Sequence, residues 1–124
     1  MNRETVRSLF ALFSRENSDD YQPLVSAAVA EVEGALRPDA DKSDVRLCYL
    51  AAALANLRYT AILWARGREA ATYAGNLPGA SDGAQEYAFA LRLVQAYKGM
   101  CVELIEDRGF LFTGIREAAD EGAV

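Results

Sequence analysis

Leu47-Cys48-Tyr49-Leu50-Ala51-Ala52-Ala53-Leu54-Ala55-Asn56-Leu57-Arg58-Tyr59-Thr60-Ala61-Ile62-Leu63-Trp64 is the run whose reading decides the fold. Leu47, Leu50, Leu54, Leu57, Ala61 and Trp64 recur at alternating steps of three and four, which is the period of one helix face and not of a strand. Cys48, Ala51, Ala52, Ala55, Tyr59 and Ile62 form a second apolar face, so this helix is covered on more than one side and belongs at the centre of the fold. Running from about Ser43 or Asp44 to Arg66, it would span roughly 35 Å at a rise of about 1.5 Å per residue. The stretch Leu47 to Ala65 is apolar enough to suggest a membrane span, but Asn56 and Arg58 in its middle would be costly in hydrocarbon. The expectation is a buried helix of a soluble domain.

Outward from this centre, three more segments carry helical periodicity and none alternates with period two. From about Arg3 to Arg15, Val6, Leu9, Phe10 and Phe13 share one stripe, as in a short docking helix. A second helix follows Ser18-Asp19-Asp20; with Asp20 as N-cap, Pro23 falls in the first turn, where the missing amide has no cost. Its stripe is Tyr21, Val25, Ala28, Val32 and Ala35, and it ends before Arg37-Pro38, because proline turns its predecessor away from helix. A fourth starts near Ser81-Asp82, with Gln85 placed for a capping box. Its seam is Ala90, Val94, Tyr97, Cys101 and Leu104, and Gly109 supplies the left-handed C-cap. The reading is one all-α domain over residues 1–124, four helices in a bundle-like array with a long central third helix, and a frayed tail from about 117 to 124.

Composition narrows the function. A chain of 124 residues that is 52% hydrophobic and 25% charged is long enough for a core without disulfides or metal, and its composition is that of a folded globule. A net charge of −5 argues against a domain built to neutralise phosphates, so direct nucleic-acid binding is disfavoured. Cys48 and Cys101 lie in apolar helical sequence and read as core thiols in a reducing compartment, a disulfide between them staying open. The N-terminal stretch from Met1 to Thr5 leads into an amphipathic segment with no signal-peptide pattern.

The chain has no histidine, which removes the commonest general base and metal ligand together with every Ser-His or Cys-His arrangement. The acidic pairs Asp19-Asp20, Glu31-Glu33 and Glu106-Asp107 and the triplet Asp39, Asp41 and Asp44 read as caps and polar faces. Asp39-Ala40-Asp41-Lys42-Ser43-Asp44 lacks the glycine and the glutamate of a calcium loop, with Leu50 at the twelfth position. Two isolated thiols do not make a zinc site. Gly75-Asn76-Leu77-Pro78-Gly79 reads as a turn, with Pro78-Gly79 at its centre, and not as a phosphate cradle. No catalytic residue, cofactor or metal is expected. Tyr49, Tyr59, Trp64, Tyr87, Phe89 and Tyr97 have core-compatible spacing. Arg58, Arg66 and Arg68 read either as a cationic set at the end of the third helix or as interface arginines.

Two segments stand out as contact surfaces. The link from Gly67 to Ala80 is longer than the roughly 2–8 residues a helical hairpin needs, and it carries Tyr73, Asn76 and Leu77. After Gly109 the chain continues with Phe110, Leu111, Phe112, Ile115 and Arg116, apolar residues that need either a place in the core or a partner.

The order of these features resembles the small phage and prophage head-tail connector, or head-completion adaptor, proteins. The resemblance covers nearly the whole chain: the Leu9-Phe10-x-x-Phe13 helix; Asp20-Tyr21-x-Pro23-Leu24 with Ala27-Ala28; Arg46-Leu47-Cys48-x-x-Ala51-Ala52-Ala53 with Arg58-Tyr59; the glycine-containing link; and the Phe110-Leu111-Phe112 ending. It implies a non-enzymatic helical subunit, in the cytoplasm of a bacterial host and in the virion, that self-associates into a ring beneath the portal and joins it to tail or stopper proteins. It also implies that Tyr73 to Leu77 and Phe110 to Arg116 meet neighbouring subunits or the portal, although Thr72 to Asn76 lack the charge that pattern carries. Two other readings compete: a small cytoplasmic helical adaptor or regulatory protein, dimeric through the third and fourth helices, and a DNA-mimic inhibitor, for which the charge density is low.

Overall fold

The computed structural model describes residues 1–73 and 82–106. Helix α1 spans Arg3–Ser14, α2 Gln22–Gly34, α3 Val45–Tyr73 and α4 Asp82–Met100. Among the described residues the chain is all-α, a bundle-like array in which α3 packs against α1, α2 and α4.

The helix ends follow from local chemistry. Asn2 opens α1, its side chain accepting from the backbone N–H of Glu4 at 3.0 Å and of Thr5 at 3.2 Å, which satisfies two of the orphan donors of a first turn. Arg15 closes it in the left-handed region, φ 61°, and donates its N–H to Ala11 at 2.9 Å. The expected N-cap Asp20 is instead part of a short 3₁₀ turn, Asp19–Tyr21, capped by Ser18; Pro23 still falls in the first turn of α2. Asp44 opens α3, accepting from the Arg46 N–H at 3.0 Å.

Two boundaries differ from expectation. Helix α3 passes through Gly67 and ends at Tyr73, not Arg66. One interior glycine costs about 1 kcal/mol, and the helix formers Arg68, Glu69, Ala70 and Ala71 outweigh it. Arg58 therefore sits mid-helix and not in a C-terminal cationic set, and it is paired with Glu31 of α2 at 2.5 Å. Helix α4 ends at Met100, well before Gly109. Cys101 and Leu104 stay buried, so the apolar period runs on after the helix has stopped. The next residues turn back to α2: Arg37 donates to the Leu104 carbonyl at 2.9 Å, Glu106 to that of Ala35 at 2.7 Å, and Leu36 and Ile105 form an isolated antiparallel bridge.

Val6 and Phe10 of α1, Val25, Val29 and Val32 of α2, Leu47, Leu50 and Leu54 of α3, and Val94 of α4 form the core. Each large apolar side chain so buried contributes about 1.5–3 kcal/mol before entropy is subtracted. Ala51, Ala52, Ala53 and Ala55 are buried without any polar atom or side-chain entropy cost. Cys48 and Cys101 are free, buried thiols; burial pushes Cys101 up to about 11. Residues 45–67 are long and apolar enough to cross a membrane by length and composition, and 61% of the most apolar window is buried inside the protein, as expected of a core helix.

Candidate functional site

One site is a half-open groove of about 400 Å³ between the end of α1, the middle of α3 and the start of α4. Its α1 wall is fixed by a hook after the helix. Ser14 Oγ donates to the Phe10 carbonyl at 2.6 Å and accepts from the Glu16 N–H at 3.1 Å. Glu16 accepts from the Ser18 N–H at 2.8 Å and from the Tyr59 hydroxyl at 3.2 Å. Burial and the Glu16 carboxylate both raise the Tyr59 pKa, so the phenol stays protonated as donor. The Tyr59 ring is held edge-on by Phe10 at 5.7 Å and Tyr21 at 4.7 Å. Phe13 is stacked on Tyr97 at 6.0 Å. The groove is therefore walled by groups that are already committed.

Its unsatisfied group is Asn56. This side chain lines the groove, is 5% exposed, and its Oδ1 has no hydrogen-bond partner. A buried acceptor in that condition costs about 1–3 kcal/mol, which is a reason to look for function at it. Thr60 beside it spends its hydroxyl hydrogen on the Leu57 carbonyl at 2.8 Å, so its oxygen can only accept. Phe13, Leu63 and Phe89 supply apolar surface, with Leu63 38% and Phe89 66% exposed; Arg15, Gln85 and Glu86 complete the lining.

A second surface lies where α3 begins and α4 ends. Arg46 donates to the Met100 carbonyl at 2.9 Å, to Glu103 at 2.6 Å and to Asp44 at 2.8 Å, and the hydrogen bonds that Asp44 accepts from the Arg46 side chain and backbone N–H hold its carboxyl down at about 2. Around this anchored turn Val45, Met100 and Val102 are 55%, 51% and 66% exposed.

The contact residues named from sequence are not among those that line these surfaces as described. Tyr73 is the last residue of α3, and Asn76, Leu77, Phe110, Phe112, Ile115 and Arg116 lie outside the described residues. Sequence reading treated Asn56 only as an obstacle to membrane insertion and Phe89 as core. The signal was present in both: a single amide inside an apolar helical run, and an aromatic one position off the Ala90-Val94 seam. Among the described residues no three metal-ligating side chains converge. No protein-family model, curated protein or solved structure matches the chain.

Proposed function

We propose that this chain is a non-enzymatic virion-assembly protein, a head-tail connector subunit that forms a ring between portal and tail components. The observation that carries the reading is the exposed apolar trio Val45, Met100 and Val102 on a turn that Arg46 braces through Met100 and Glu103. A braced turn presents apolar side chains with little left to order on docking, which lowers the entropic cost of association. A patch of this kind meeting a different surface on the next copy is a heterologous contact, and such contacts close into rings when the rotation per subunit permits. The segment that includes Phe110 and Phe112 continues from this same end of the bundle after Glu106. An acidic subunit, at −5, also suits a conduit that lets DNA pass without gripping it.

The test is assembly. Light scattering and electron microscopy of the full chain, with and without a cognate portal, are expected to give a ring or a portal complex, and Val102→Asp with Met100→Asp is expected to remove it with helicity retained. Truncation before Phe110 is expected to do the same. A strict dimer indifferent to portal would sink the connector reading and favour the second one, a cytoplasmic homodimeric adaptor, for which the exposure of Leu63 and Phe89 on α3 and α4 is the supporting observation.

A further inference from the structure

We infer that one copy of this chain inserts its apolar Val45-Met100-Val102 end into the groove between α1, α3 and α4 of the next copy, so that every subunit carries both halves of one head-to-tail contact. This pairing rests on the reading of that end as an assembly face, and it names the surface that receives it. The two surfaces differ in form. Met100 and Val102 stand 51% and 66% exposed on a turn that Arg46 braces, whereas the groove is a half-open hollow of about 400 Å³ with Phe89 uncovered at its lining. Meeting itself across a two-fold axis, the turn would set protruding side chains against protruding side chains and leave the groove unfilled. Seated head to tail, each copy fills one hollow and has its own filled.

Chemistry and charge agree with that seating. Phe13, Leu63 and Phe89 give the groove aromatic and aliphatic surface, and a methionine, unbranched and flexible, fills irregular spaces and gains from sulfur placed against an aromatic ring. Each surface also carries exposed charge of both signs beside its apolar part. At the turn these are Glu103, 69% exposed, and Arg37, which donates to the Val102 carbonyl at 3.4 Å. At the groove they are Arg15 and Glu86. Glu103 facing Arg15, with Arg37 facing Glu86, sets opposite signs against each other across the contact, which fixes its register more than its strength. A single chain cannot make this contact with itself. Val45 and Leu63 lie eighteen residues apart on α3, about 27 Å along the helix, far beyond the reach of a methionine or valine side chain, so the turn that fills a groove belongs to another copy.

The experiment mixes two variants of the full chain, each with one surface spoiled, and reads mass by sedimentation velocity. Met100→Asp with Val102→Asp removes the inserted turn and keeps the groove; Phe89→Asp spoils the groove and keeps the turn. Each alone is expected to stay monomeric with its helical circular dichroism unchanged. Mixed in equal amounts they retain one intact turn and one intact groove, and they are expected to form a dimer and nothing larger. A mixture that stays monomeric would overturn the pairing, and so would either variant dimerising by itself. Cysteine trapping covers the case in which an aspartate variant fails to fold. Val102→Cys and Gln85→Cys chains, mixed under mild oxidation, are expected to give the mixed disulfide about tenfold faster than either gives its own, because the contact raises the effective concentration of one thiol at the other; Cys48 and Cys101 are buried and stay out of the reaction. Equal rates would overturn the pairing. Rings of the parent chain without complementation would strike this contact and leave the connector reading standing, whereas complementation without portal binding would strike the connector reading and leave the contact.

Discussion

Replacing Asn56 by leucine is expected to stabilise the protein. The two side chains branch at the same atom and have nearly the same shape, so the swap removes polarity without opening a cavity or forcing neighbours apart. Asn56 is 5% exposed with Oδ1 unpartnered, and relieving a buried unsatisfied acceptor is worth about 1–3 kcal/mol. Part of that gain offsets whatever the amide nitrogen contributes, which leaves a net of about 1–2 kcal/mol. With an unfolding entropy near 2.1 cal/mol/K per residue, a chain of 124 residues shifts its Tm by about 4 °C per kcal/mol, so the variant melts about 4–8 °C higher. Differential scanning calorimetry reads this directly, and a urea midpoint that moves at constant slope confirms that native stability is what changed. A Tm at or below that of the parent would refute the reasoning, because it would mean that Oδ1 is satisfied inside the folded protein.

Gly83→Ala is expected to destabilise by about 1–2 kcal/mol in urea unfolding: a Cβ 2.6 Å from Trp64 Cγ meets the root of the ring and forces it off its rotamer, which outweighs a helix-propensity gain of up to about 1 kcal/mol. Gly67→Ala is the internal control, expected to stabilise by about 0.5–1 kcal/mol, since a Cβ there meets nothing within 4 Å. Asp44 is held at about 2, below its ordinary 3.8, chiefly by hydrogen bonds from Arg46. Its contribution is thus fully present above about pH 4 and is lost as pH falls through about 2. Asp44→Asn is expected to flatten the acid limb of the stability curve over that window, measured by circular dichroism; an unchanged acid limb would remove Asp44 from the account.

The fold was legible because it is written in periodicity. The three-four steps through Leu47, Leu50, Leu54 and Leu57 mark residues that are all buried, and the same holds for Val6 and Phe10 and for Val25, Ala28 and Val32. The helix ends were less legible, for identifiable reasons. Gly67 looked like a stop, yet one glycine cannot outweigh the strong helix formers that follow it. Cys101 and Leu104 looked like a further helical turn because burial, not helix, sets the apolar period. The groove was not legible at all as a site: Phe13, Asn56 and Phe89 come from three helices, and only packing brings them together. What sequence could have flagged was each oddity alone, a lone amide in an apolar run and an aromatic off its seam.

The two surfaces also explain why a chain this small invests in so long a central helix. Arg46, which braces the Val45-Met100-Val102 end, and Thr60, which lines the groove, are both on α3, fourteen residues apart. At about 1.5 Å per residue that places them roughly 21 Å apart along one rod. Helix α3 packs against three other helices, so it is held by packing and not by propensity alone. A partner seated on one surface therefore leaves the other uncovered and at a fixed distance. Had both surfaces lain on connecting segments, their separation would vary with every loop motion; carried on α3, they are held a defined distance apart, which is what the proposed assembly role would need.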